Sequence, residues 1–73
     1  MHKKRITVDP EIMLGKPIIT GTRITVEAIL MKLSDGFSLE EVVECFPTLT
    51  REDILAALAY SADVVGREEI IAR

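Results

Sequence analysis

At 73 residues the chain has room for one domain, expected over 1–73, and a domain this small buries only about 60% of its unfolded surface. One cysteine and one histidine exclude an internal disulfide and a Cys/His structural zinc site, so nothing covalent reinforces the fold. An apolar content of 48% in a chain of net charge -3 points to apolar surface shared between subunits, and a homodimer is expected.

In chain order, Ile6-Thr7-Val8 is short, β-branched and stopped by Asp9-Pro10, which reads as a strand. Glu11 to Gly15 follows as a turn or a single helical loop. Lys16 to Thr20 and Arg23 to Thr25 then flank Gly21-Thr22. A type II′ turn with Gly21 at its first central position sets Ile19 opposite Ile24 and Thr20 opposite Arg23. Val26, Ile29, Leu30 and Leu33 recur at the helical period behind an N-cap at Thr25, and Gly36 supplies the left-handed residue that ends this helix. Ser38 caps a second helix with the stripe Leu39, Val42, Val43 and Phe46. Glu41 completes its capping box, and Phe37 against Val42 makes a hydrophobic staple. Pro47 disfavours the α conformation at Phe46 and stops it.

Thr50 opens a third helix with the same devices, Asp53 standing in the box and Leu49 pairing with Ile54. Its expected buried face is Ile54, Leu58, Ala62 and Val65, with Ala57 and Ser61 beside them. Gly66 is expected to end it and leave residues 67–73 as a tail or a further turn. The fold class is therefore mainly α: short strands and a hairpin over 6–25, then a trihelical, homeodomain-like bundle over 26–65. The helix-turn-helix spans 38–65, its corner the four residues Pro47 to Thr50. Strands this few are not stable alone and must lie on the helices or pair with a second chain.

Catalysis needs titratable groups converging in a cleft, and the chain offers no such set, so no enzyme and no cofactor are expected. Cys45, beside the Phe46 anchor, reads as a structural thiol. Glu40, Glu41 and Glu44 read as a solvated helix face rather than metal ligands. The glycines are scattered at turns and caps and form no phosphate-cradling loop. Lys3-Lys4-Arg5 leads into no apolar run, so no signal peptide or membrane association is expected, and the lone thiol suits the cytoplasm.

Charge divides the chain. Residues 1–36 carry six Lys and Arg against four Asp and Glu, whereas residues 37–73 carry three against eight. Phosphate contacts from cations dominate DNA affinity, yet the second and third helices offer only Arg51 at the groove-facing end, among Glu40, Glu41, Glu44, Glu52 and Asp53. Any nucleic-acid contact is therefore assigned to Lys3, Lys4, Arg5, Arg23 and Arg51. Partner binding is assigned to Tyr60, Ile70 and Ile71, apolar groups among late acids.

The segment Ile6 to Ile12 (ITVDPEI), followed by Gly15 to Ile24 (GKPIITGTRI), resembles the entry signature of the prokaryotic domain of unknown function four-three-three. Asp35 to Glu41, Phe46-Pro47, Leu49-Thr50 and Glu52 to Ile54 are similar to its second half. The likeness runs from about Ile6 to about Val65. It departs from the commonest pattern at Met13-Leu14, where a glycine or polar residue often precedes Gly15, and at Phe46 in place of tyrosine. The resemblance implies a homeodomain-like trihelical fold behind short strands. It also implies the antitoxin of a VapB-type pair, neutralising a PIN-like ribonuclease toxin and binding its own operator DNA. The alternatives are a stand-alone helix-turn-helix transcriptional regulator and a protein-interaction module that does not bind DNA.

Overall fold

The computed structural model describes residues 5–69. Two short strands, β1 (Ile6–Thr7) and β2 (Ile18–Ile19), pair antiparallel with Ile6 opposite Ile19 and Thr7 opposite Ile18. Three helices follow: α1 (Val26–Ser34), α2 (Leu39–Cys45) and α3 (Arg51–Glu69). The sheet lies on the helices, with Ile6 and Ile19 in one apolar cluster with Val26, Ile29, Val42, Leu49, Ile54, Ala56 and Ala57. Ile29, Val42, Ile54 and Ala57 are wholly shielded from solvent.

The helix starts follow from their caps. The Thr25 hydroxyl accepts from the Ala28 N–H at 3.0 Å. Ser38 and Glu41 form the reciprocal box, their bonds 3.1 and 2.8 Å long. Thr50 does the same with Asp53, at 3.2 Å to its hydroxyl and 2.9 Å back to the carboxylate. Each satisfies N–H groups that the helix leaves open. At the end of α1, Gly36 takes φ +99°, and the Gly36 and Phe37 N–H groups close onto Leu33 and Lys32 carbonyls at 3.0 and 3.2 Å. That is a Schellman termination. Phe37 then lies 4.9 Å beneath the Lys32 ammonium, a cation–π contact.

The turn between β2 and α1 differs in type from the expected one. The Ile19 N–H donates to the Ile24 carbonyl at 2.9 Å, so the expected opposition of these two isoleucines holds. The turn closes one residue earlier, however, with the Thr22 N–H on the Ile19 carbonyl at 3.0 Å and Gly21, at φ +82°, in its third position. A left-handed residue there is the type II arrangement, not type II′. The Thr22 hydroxyl, accepting from the Ile24 N–H at 3.0 Å, takes up a ladder bond that a second strand would otherwise need. Arg23 to Thr25 accordingly contributes a single bridge, Thr25 to Ile18, instead of a strand. Gly21→Val should cost about 1–2 kcal/mol, because a Cβ is strained at this φ. The added atom would meet nothing within 4 Å, so the loss is conformational. Gly21→Asn, which tolerates the left-handed region, should recover most of it in thermal melts, and an unchanged melting temperature for the valine variant would contradict the turn.

The Glu11 to Gly15 loop is a left-handed turn in which Met13, Leu14 and Gly15 take φ of 52°, 60° and 82°. Leu14 is thereby held out in solvent, 92% exposed. Three further expectations need correction. Gly66 does not end α3: it keeps helical φ, and the Arg67–Asp63 pair at 3.2 Å links the turns on either side. The buried face of α3 is Asp53, Ile54, Ala56 and Ala57. Of the expected residues Ile54 and Ala57 are buried, whereas Leu58 and Val65 are 37% and 62% exposed and Ala62 is exposed. Cys45, read as a structural thiol, is also exposed.

Candidate docking groove and the charged corner beside it

Buried positions of α3 stop at Ala57, because its 19 residues outrun the 9 of α1 and the 7 of α2. Beyond that point the same helical stripe continues into an open groove against α1. Leu30 and Met31 form one wall and Tyr60, Val64 and Val65 the other, enclosing about 440 Å³. Lys16 and Glu27, paired at 2.9 Å, stand on its rim. The lining is almost wholly apolar, and Met31 is 57% exposed. Tyr60, assigned to partner binding from the sequence, therefore lines a concave apolar surface. Ile70 and Ile71, assigned with it, lie outside the described residues.

The corner between α2 and α3 runs over Phe46 to Thr50, with the Leu49 N–H on the Phe46 carbonyl at 2.8 Å and Leu49 buried. Two of the five cations expected to meet phosphate are engaged within the chain. Arg51 donates to Glu40 at 2.7 Å, tying α3 to α2. Arg5 donates to Asp53 Oδ1 at 2.8 Å, tying β1 to α3. Arg23 is exposed and makes no ion pair among the described residues, and Lys3 and Lys4 lie outside them. The first turn of α3 thus presents Glu52 as its unpaired charge among the described residues.

Asp53 is the most constrained charge. One carboxylate oxygen accepts the Thr50 N–H and the other the Arg5 guanidinium. Burial pushes its pKa up, but the Thr50 backbone and hydroxyl bonds and the Arg5 charge outweigh burial and hold it below the ordinary carboxylate value. The Arg5–Asp53 tie joins residues 48 positions apart, and no local pattern announces it. The groove did leave a trace in the sequence: the third helical stripe is longer than the first two helices can cover. Among the described residues no three His, Cys, Asp or Glu side chains cluster as metal ligands, and no helix is long and apolar enough to cross a membrane.

A three-helix domain with a two-stranded N-terminal sheet and an open apolar groove between its first and third helices is the class these features define. Residues 6–61 match the family model described as a protein of unknown function, DUF433, and the chain belongs to that family. A crystal structure of a DUF433 member protein from Anabaena variabilis superposes with a TM-score of 0.81 at 28% identity, over 97% of this chain and 71% of that one. An uncharacterized protein, y4eO, of Sinorhizobium fredii is 34% identical over 56 residues. That match takes in 77% of this chain and spans a quarter of the relative's length, 25%.

Proposed function

We propose that this chain is the antitoxin-type subunit of a toxin–antitoxin pair, with the α1/α3 groove receiving an apolar segment of a PIN-like ribonuclease. The observation that carries the docking role is the groove itself: Leu30, Met31, Tyr60, Val64 and Val65 leave a concave apolar surface open to solvent, the kind of site that takes an apolar anchor from a partner. The nuclease as partner comes from the family resemblance, and the groove suits it without specifying it. Leu14 supports docking on the same side of the argument, since a leucine at φ 60° and 92% exposure gains nothing for the monomer. Operator DNA is a secondary partner in this reading. Arg5 and Arg51 are committed to Asp53 and Glu40, so Lys3, Lys4 and Arg23 would carry the phosphate contacts.

The test is calorimetric binding to a purified PIN-like ribonuclease, read beside inhibition of its RNA cleavage. Met31→Glu and Val64→Glu should each weaken the complex about tenfold or more, equivalent to about 1.4 kcal/mol, with the melting temperature unchanged. Leu14→Asn should weaken it while holding or raising stability, because asparagine tolerates the left-handed region. Groove variants that bind and inhibit like the parent would overturn the reading. A tight operator complex with no affinity for the nuclease would restore the stand-alone regulator.

A further inference from the structure

The two-stranded sheet has two faces. Ile6 and Ile19 join the apolar cluster with the helices, so Thr7 and Ile18, opposite each other in the pair, take the other face. There Thr7, Ile12, Ile18, Gly21, Thr22 and Arg23 line a cavity of about 400 Å³, and no acidic side chain is among its lining. Arg23 supplies its charge. Of the six Lys and Arg at 5–69, Arg5, Lys16, Arg51 and Arg67 hold carboxylates and Lys32 lies over Phe37. Arg23 alone has no such partner among the described residues. Other donors at the cavity are uncommitted too. The Thr7 and Thr20 hydroxyls share one bond at 2.7 Å, and two O–H groups in one bond leave one to donate elsewhere. The Gly21 and Arg23 N–H groups donate to no acceptor among the described residues.

We propose that this cavity seats a phosphate group. The Arg23 guanidinium is a rigid fork that pairs with two oxygens of an anion. A planar carboxylate met edge-on by that fork leaves the Thr7 hydroxyl and the turn N–H groups without an acceptor. The tetrahedral oxygens of a phosphate reach out of that plane and can meet both sets of donors. The cavity is larger than a phosphate, and Ile12 and Ile18 give it an apolar floor that suits the sugar of a phosphate ester. A nucleic-acid backbone and free inorganic phosphate present the same chemistry, and the size and the floor favour the backbone. The proposal deepens the reading of Arg23 as a phosphate contact and rests on that reading, not on the nuclease.

The test titrates the full chain with inorganic phosphate at constant ionic strength, read by amide NMR. Saturable shifts should centre on Thr7, Gly21, Thr22 and Arg23, and acetate at equal concentration should not reproduce them. Arg23→Gln should weaken phosphate about tenfold, as loss of a charge-assisted bond does, and Thr7→Val about threefold. Neither side chain belongs to the apolar cluster, so the melting temperature should hold in both. A mixed-sequence DNA duplex, followed by fluorescence anisotropy at two salt concentrations, identifies the source. Arg23→Gln should lower the slope of log affinity against log salt by about 0.9. Phosphate bound in the cavity with no affinity for the duplex keeps the seat, assigns it to the free anion and overturns the operator reading instead. Duplex binding that ignores both substitutions overturns the seat and leaves the operator reading standing. Phosphate shifts that never saturate, or that follow Lys16 and Lys32 as closely as Arg23, overturn the seat outright.

Discussion

Ile29→Ala is expected to lower stability by about 2–5 kcal/mol, the range for deleting a buried isoleucine side chain to alanine. Ile29 is 0% exposed, in the middle of α1 and in contact with the shared apolar cluster. Alanine is the better helix former, so the loss is a packing loss and not a propensity effect. At about 0.05–0.15 kcal/mol per residue, a domain of 73 residues has only about 4–11 kcal/mol in total. The substitution therefore removes a large share of it, and the melting temperature should fall by roughly 10–30 °C. Leu58→Ala, measured at high dilution, should cost far less, because Leu58 already faces solvent for 37% of its surface. Equal losses at the two positions would mean that α3 is rotated toward the face its sequence first suggests.

The second large effect belongs to Asp53. Asp53→Ala should cost about 1–3 kcal/mol, combining loss of the Thr50 capping box with loss of the charge-assisted bond to Arg5. The Arg5 side chain is 44% exposed, so solvent screening keeps the ion-pair share small. The pH dependence has a definite sign. The folded state holds the carboxyl below its ordinary value of 3.8. Its contribution is therefore complete above that value and is lost as pH falls through the lower, folded-state pKa. Urea unfolding near neutrality and at about pH 3 should show a stability drop in the parent that shrinks in Asp53→Asn. An acid limb that is unchanged in the asparagine variant would place the titration elsewhere.

All three helix starts were legible from residues at most three apart. Thr25, Ser38 and Thr50 cap their helices in the structure because a hydroxyl can reach only the N–H groups of its own first turn. The Gly36 termination is equally local, as is the Ile19–Ile24 opposition across Gly21. The buried face of α3 was legible at Ile54 and Ala57 but not beyond them. The helix carries two apolar stripes at the same period, one through Ile54 and Ala57 and one through Leu55, Leu58 and Ala62. Periodicity cannot say which of them α1 and α2 will cover. Gly66 failed as a stop for a related reason: a glycine ends a helix only when it turns left-handed, and α3 continues through it. The charged residues follow the same division. Their types and the split between the chain's halves are properties of sequence. The engagement of Arg5 with Asp53 and of Arg51 with Glu40 was decided only when packing brought β1 and α2 against the start of α3, because an ion pair depends on separation in space and not along the chain.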